Sequence, residues 1–208
     1  MRTLINIEQL DRKEHFLFFS QFEEPFYGVT VNIDCTRAYK TAKERGSSFF
    51  LYYLYQALKT ANEIENFRYR IIDGQVYLFD RVDASPTINR LNGTFGFAYM
   101  EYCPKEFDFY EGASKEINKV RLSNNLMPVT MGQSVIHFSA IPWIDFTALS
   151  HARNFSFVES SPKISFGKVT ESNGVKTMSV SIHVHHGFVD GVHVGQFVEK
   201  FQELMNQE

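Results

Sequence analysis

The most constraining part of this 208-residue chain is residues 179–191, Ser-Val-Ser-Ile-His-Val-His-His-Gly-Phe-Val-Asp-Gly. Strand side chains alternate between two faces, so this pattern predicts a strand. One face would present Val180, Ile182, Val184 and His186, and the other Ser179, Ser181, His183 and His185. An imidazole at the end of an apolar row is shielded from bulk water but still reaches a cleft at the strand end. Such a position suits a neutral histidine that acts as a general base.

A purely structural interpretation of the same residues stays open. A single histidine on an apolar row is often a satisfied core residue. Asp190 follows the turn at the start of a predicted helix, where Asp is a preferred N-cap. Neither residue by itself therefore establishes a catalytic site.

Composition indicates one globular domain spanning residues 1–208, with 44% hydrophobic and 22% charged residues. A net charge of −3 favours neither nucleic acid nor an anionic membrane as a partner. The apolar runs are too short to span a bilayer, and no basic-then-apolar leader follows Met1, so we expect no signal peptide. Cys35 and Cys103 lack metal-ligand spacing, which favours free thiols and a cytoplasmic location.

Periodicity and turn signals predict a mixture of strands and helices. The predicted helices cover residues 11–16 with Asp11 as N-cap, 36–45, about 48–62 after a Ser47 or Ser48 cap, 105–121 with an interruption at Gly112, and 192–206. The predicted strands cover residues 27–35, 69–79 as a hairpin turning at Asp73–Gly74, 94–102, 134–141, 163–170 and 175–186. We therefore expect a two-layer α/β sandwich of the α+β type, with one mixed, mostly antiparallel sheet and helices packed on it.

Four segments together resemble a known enzyme family. They are residues 11–16 (Asp-Arg-Lys-Glu-His-Phe), 138–146 (Phe-Ser-Ala-Ile-Pro-Trp-Ile-Asp-Phe), 166–169 (Phe-Gly-Lys-Val) and 185–191, which has the pattern His-His-x-x-x-Asp-Gly. The chain resembles the chloramphenicol acetyltransferase family over nearly its whole length. It is also similar to the acyltransferase core of the 2-oxo-acid dehydrogenase complexes.

The resemblance implies an acetyl-CoA-dependent O-acetyltransferase, which acetylates a hydroxyl of chloramphenicol by direct transfer in a ternary complex. His186 would be the general base and Ser139 the hydrogen-bond donor to the tetrahedral oxyanion. Arg12 and Asp190 would form a buried ion pair that holds the turn after the histidine. Acetyl-CoA would be a co-substrate, and no cofactor would be bound.

The resemblance also implies binding residues. Trp143 and Lys168 would line the coenzyme A tunnel, and the acceptor pocket would contain Phe19, Tyr27, Phe95, Ser165 and His137. The chain departs from the family at Ser48, where a basic residue can occur. It also departs in having charged or ionisable residues near the acceptor pocket, namely Glu23, Glu24, His151, Arg153 and Lys163. The same chemistry on another small hydroxylated metabolite or xenobiotic therefore stays an alternative.

The family further implies a cytoplasmic homotrimer that confers antibiotic resistance, with each active site between neighbouring subunits. Its partners would be acetyl-CoA and a small-molecule acceptor. A different alternative is a metal-binding module built on His183, His185 and His193. No nearby cysteine or carboxylate completes such a site, so we expect no metal.

Overall fold

The computed structural model describes residues 1–127, 132–156 and 158–207. Its strands are β1 (Arg2–Leu4), β2 (Phe26–Asp34), β3 (Tyr69–Ile72), β4 (Gln75–Phe79), β5 (Asp83–Asn89), β6 (Phe95–Phe97), β7 (Val135–Ala140), β8 (Lys163–Ser172) and β9 (Val175–His185). Its helices are α1 (Lys13–Phe19), α2 (Thr36–Glu44), α3 (Phe49–Glu63), α4 (Glu106–Leu122) and α5 (Gly191–Met205).

The main sheet has six strands in the order β2-β9-β8-β7-β5-β6. The β5–β7 and β7–β8 pairs are parallel, and the β2–β9, β8–β9 and β5–β6 pairs are antiparallel. The row of Val180, Ile182 and Val184 on β9 is fully buried. On the same side, the Phe166 ring of β8 lies 4.5 Å from Tyr53 of α3 and 6.2 Å from Phe201 of α5. The predicted α/β architecture with helices packed on a mixed sheet is confirmed.

The expectation of a single sheet is wrong, because a second sheet of three strands has the order β1-β4-β3. The β3–β4 hairpin and its turn at Asp73–Gly74 are confirmed, and both turn residues have positive φ, 51° and 75°. Strand β1 has three exposed residues, too few to show an alternating pattern. Buried Arg70 of β3 joins the two sheets, since it donates to the carbonyls of Phe67, Tyr69 and, on β7, Val135 at 2.7–2.8 Å.

The other face of the main sheet is also buried, although its side chains are small and polar. Ser165, Ser179 and Ser181 are each at most 1% exposed. The segment that follows β7 covers them: a Cβ on Gly167 would lie 2.1 Å from the Ser179 hydroxyl and 3.1 Å from the carbonyl oxygen of Ile144. Glycine at position 167 thus permits close packing of this covering segment.

Several local predictions differ from the structure. Arg12, not Asp11, is the N-cap residue of α1, and it makes no side-chain cap hydrogen bond. Helix α4 is continuous through Gly112, and the strand predicted over 94–102 shrinks to β6. The sequence prediction missed β5, which contains Asp83 and Pro86, residue types that are depleted in strands. Across the described residues, no helix is long and apolar enough to cross a membrane.

Candidate active site

The two adjacent histidines at the end of β9 have different surroundings. His185 is 2% exposed, and its Nδ1 accepts a hydrogen bond from the Gly187 N–H at 3.1 Å. Its ring lies near those of Phe26 and Phe188, at 5.6 and 5.2 Å. Burial, aided by the charges of Arg153 and His186, lowers the pKa of His185 to about 4. His185 is therefore a neutral core histidine, a role that the sequence analysis considered for His186 instead.

His186 lies one residue beyond the strand, partly exposed between two aromatic rings. Its imidazole stacks on Phe19 at 4.0 Å and 7°, and Tyr27 approaches at 4.4 Å and 42°. The backbone N–H of His186 donates to the Pro25 carbonyl at 2.9 Å. Burial and the charge of Asp190 raise the pKa of Tyr27, whereas the charge of Arg12 lowers it, and the result is a pKa of about 12. The phenol therefore stays protonated at neutral pH.

An ion pair fixes the turn that follows His186. Nη1 of Arg12 donates to the Asp190 carboxylate at 2.5 Å, and Nη2 donates to the carbonyl oxygen of His186 at 3.3 Å. Burial acts to raise the pKa of Asp190, but the hydrogen bond and charge of Arg12 outweigh it, so this pKa is lowered. Residues 12 and 190 thereby form the ion pair that the family resemblance implies.

Asp190 is at the same time the N-cap of α5. Its carboxylate accepts from the Val192 N–H at 3.1 Å, while the Nδ1 of His193 accepts from the Asp190 N–H at 3.1 Å. The structural and the ion-pair interpretations of Asp190 are therefore compatible. Sequence analysis missed the contribution of His193, whose only local signal is its place three residues after a cap residue.

Ser139 lies near the end of β7, on the sheet face opposite the helices. Its hydroxyl is 3.4 Å from that of Thr87, and its register partner on β8 is Ser165, which in turn pairs with Ser181 of β9. Ser139 is two strands away from Ser181, and His186 lies five residues beyond Ser181. With standard strand spacings, the Cα atoms of Ser139 and His186 are therefore about 19 Å apart. A single chain therefore does not bring the hydroxyl and the imidazole together.

A cavity of about 600 Å³ opens at the end of β7. Ala140, adjacent to Ser139, lines it together with Thr87 and the first turn of α3 at Ser48. Trp143 is 66% exposed, and Lys168 is also exposed. Pro142, which precedes Trp143, and Gly167 and Val169, which lie on either side of Lys168 in the chain, line the cavity.

A cluster of charged side chains covers the same sheet face near the other end of β8. Arg153 lies 2.9 Å from Glu24 and 3.3 Å from Glu159, and Glu159 also pairs with Lys163. The Nε2 of His137 is 4.0 Å from Glu159. Burial, with the charge of Lys163, lowers the pKa of His137 to about 4. Sequence analysis singled out these residues except Glu159, which joins them.

The remaining predicted site residues lie apart. Phe95 is 44% exposed on β6, at the edge of the sheet farthest from β2, and contacts Phe97. The histidines of the alternative metal module are engaged separately: His183 Nε2 contacts the Leu149 carbonyl at 3.1 Å, and His185 and His193 make the bonds described above. Within the described ranges, no three His, Cys, Asp or Glu side chains are grouped to hold a metal ion.

Comparison with known proteins places this geometry in a family. The family model described as "Chloramphenicol acetyltransferase" matches residues 1–202. The chain is similar to a chloramphenicol acetyltransferase of Bacillus pumilus, with 27% identity over 93% of this chain and 89% of that protein. A solved structure of a chloramphenicol acetyltransferase superposes with a TM-score of 0.90 and 34% identity, covering 99% of this chain and 100% of that chain. The chain therefore belongs to the chloramphenicol acetyltransferase family.

Proposed function

We propose that the protein is an acetyl-CoA-dependent O-acetyltransferase that acetylates a hydroxyl of chloramphenicol. The observation that most supports this proposal is the setting of His186. Its ring is held between Phe19 and Tyr27, and its backbone carbonyl accepts from the same arginine that pairs with Asp190. An imidazole so oriented is suited to remove a proton from an alcohol placed against it.

In this mechanism both substrates are bound together. The imidazole of His186 takes the proton of the acceptor hydroxyl while the oxygen attacks the thioester carbonyl of acetyl-CoA. Ser139 donates a hydrogen bond to the tetrahedral oxyanion. Collapse of that intermediate breaks the carbon–sulfur bond, and the departing thiolate takes the proton from the imidazolium. Arg12 and Asp190 act as positioning residues for the His186 backbone.

The separation of Ser139 from His186 supports a site made by two copies of the chain. One copy would supply the imidazole, and the Ser139 face of a neighbour would supply the oxyanion donor, so that a closed homotrimer contains three equivalent sites. The 600 Å³ cavity at the end of β7 is suited to admit acetyl-CoA, and Trp143 and Lys168, whose chain neighbours line it, would contact the coenzyme. We place this activity in the cytoplasm, where it would confer chloramphenicol resistance.

The central experiment mixes two inactive variants. Ser139→Ala and His186→Ala are purified separately, then unfolded and refolded together in equal amounts. If each site takes the serine and histidine from different copies, about a quarter of the sites regain both groups. Thiol release from acetyl-CoA with chloramphenicol is the measurement. The same variants refolded singly are the control, and a mixture no more active than they are contradicts the shared site.

A second candidate is the same reaction on a different acceptor alcohol. The specific observation in its favour is the ion cluster of Glu24, Arg153, Glu159 and Lys163, which lies on the sheet face of Ser139. Thiol release with a panel of hydroxylated acceptors separates the two candidates. Turnover of another alcohol without turnover of chloramphenicol would favour the second.

A further inference from the structure

The turn that follows His186 has a second support, from a part of the chain that the proposed mechanism does not use. Asn66 belongs to a short 3₁₀ helix, Glu65–Arg68, between α3 and β3. Its Nδ2 donates to the backbone carbonyl oxygen of Phe188 at 2.8 Å, although 122 positions separate the two residues. Phe188 lies two residues after His186, so this hydrogen bond holds the middle of the turn whose two ends Arg12 contacts.

The side chain of Phe188 is held by the same region of the chain. The residue is 2% exposed, and its ring stacks on those of Phe16 and Tyr69 at 5.1 and 5.4 Å. The Tyr69 hydroxyl in turn donates to Glu65, the residue before Asn66, at 2.6 Å. Ring packing and the Asn66 amide therefore fix the side chain and the backbone of Phe188 together.

Asn66 reaches the turn from a side that is separate from the imidazole. Arg12, Asn66 and Phe188 line a cavity of about 450 Å³. His186 is not among the described residues that line it. Any effect of Asn66 on the reaction would therefore pass through the backbone of the turn.

The hydrogen bond from Asn66 is shorter than the one from Arg12 to a carbonyl of the same turn. Its length of 2.8 Å lies within the usual range of about 2.7–3.2 Å, whereas Nη2 of Arg12 is 3.3 Å from the His186 carbonyl oxygen. Without the Asn66 amide, the carbonyl groups of the turn would depend on this longer contact. The turn could then shift, and a displacement of about 1 Å in a catalytic group can lower the rate about a hundredfold.

From this arrangement we infer that Asn66 is a positioning residue for the acetyl transfer, and that its amide sets the turn that carries His186. The inference rests on the proposed function, because His186 is the general base only in that mechanism. Loss of the amide should lower kcat and leave the KM values of both substrates unchanged, since the amide contacts the turn and not the substrates.

The test compares Asn66→Ala with Asn62→Ala. Like Asn66, Asn62 is partly buried, and its Nδ2 also donates to a carbonyl distant in the chain, that of Val82 at 2.9 Å. Both variants should lower the thermal midpoint, because each loses such a hydrogen bond. Only Asn66→Ala should lower kcat, by roughly tenfold to a hundredfold. Thiol release at saturating acetyl-CoA, with chloramphenicol or another alcohol that the wild type turns over, is the measurement.

Chemical rescue separates positioning from a general loss of stability. Formamide is the part of the asparagine side chain that alanine lacks, and the cavity beside Asn66 gives it a route to the Phe188 carbonyl. At concentrations that leave the wild type unaffected, formamide should raise the kcat of Asn66→Ala and leave that of Asn62→Ala unchanged.

The outcomes separate the inference from the proposed function. A kcat of Asn66→Ala equal to that of Asn62→Ala overturns the inference alone. A loss that appears in KM, or one that formamide does not reverse, also overturns it. If Asn66→Ala does not fold, Asn66→Asp decides by the same comparison of kcat, because its ionised carboxylate has the shape of the amide but cannot donate. No thiol release by the wild type with any acceptor overturns the proposed function, and the inference with it.

Discussion

Arg12 and Asp190, separated by 178 positions in the chain, form a hydrogen-bonded ion pair at 2.5 Å that also reaches the carbonyl of His186. Their side chains are only 13% and 30% exposed. The pair is therefore intermediate between exposed ion pairs, which contribute little to the free energy of unfolding, and buried ion pairs, where loss of one partner lowers that free energy strongly. It links the start of α1 to the N-terminus of α5.

Replacing Asp190 with Asn should lower both stability and activity. The carboxamide keeps an oxygen for the cap but loses the charge opposite Arg12, so we expect about 1–3 kcal/mol less free energy of unfolding. Urea denaturation and steady-state kinetics are the measurements. Glu8→Gln is the matched control, because it breaks the more exposed Lys13–Glu8 pair at 2.8 Å, where little loss of stability is expected. Equal losses in the two variants would contradict this account.

Replacing His186 with Ala should remove activity without unfolding the protein. Loss of a general base typically lowers the rate by about 10²–10⁴. The thermal midpoint should change little, because the residue is partly exposed and its ring packs on Phe19 and Tyr27 near the end of the strand. His15→Ala, on the exposed side of α1, is the control for losing any histidine. A fully active His186→Ala enzyme would refute the assignment of the base.

Stability should fall as the pH drops from about 6.5 to about 4. The unfolded-state pKa of histidine is about 6.5, whereas the folded-state pKa of His185 is lowered to about 4, chiefly by burial. Between these values the unfolded state binds more protons, so stability is full above the window and is lost as the pH falls through it. Urea denaturation across this range measures the slope.

His185→Asn should reduce that slope by up to about 1.4 kcal/mol per pH unit, the contribution of one proton. An asparagine oxygen can still accept from the Gly187 N–H, so the variant should fold. His137 and His151, whose pKa values burial also lowers to about 4, should preserve part of the slope. An unchanged slope in His185→Asn would show that burial does not lower the pKa of His185 in the folded state.

Replacing Gly28 with Ala should destabilise the protein through His183. A Cβ at this position would lie 2.4–2.7 Å from three atoms of the His183 imidazole, which is held by the Leu149 carbonyl. Overpacking of this kind costs about 1–3 kcal/mol. His183→Ser should rescue the loss in the double variant, because the serine leaves room. Gly112→Ala, where a Cβ meets nothing within 4 Å, is the control.

How far the site could be predicted differs from residue to residue. His186 and Asp190 are marked by a local pattern and Arg12 by the family resemblance, and the structure brings the three together. Ser139 is also marked, but its distance from His186 depends on the register of three strands, which no local pattern encodes. Glu159 was missed because it lies in an irregular segment, where only the folded chain shows what it contacts.

One glycine carried a signal that was not used, and one strand carried a misleading signal. A glycine inside a strand indicates a close approach, so Gly28 was a usable signal for the position of His183. Strand β5 was missed because Asp has a low strand propensity. In the structure the Asp83 carboxylate is stabilised by hydrogen bonds from the Tyr99 hydroxyl and the Tyr102 N–H, at 2.7 and 2.9 Å, which no local pattern indicates. Tertiary hydrogen bonds of this kind override local strand propensity.

The position of Arg70 has a consequence for the dynamics of the whole chain. Its guanidinium satisfies carbonyls on both sides of the boundary between the two sheets, so the β3–β4 hairpin cannot detach without stranding a buried cation. Local opening of the hairpin is thereby coupled to global unfolding. The slowest-exchanging amide protons of the hairpin should accordingly exchange with solvent at the same rate as those of β7, because the two elements open as one cooperative unit.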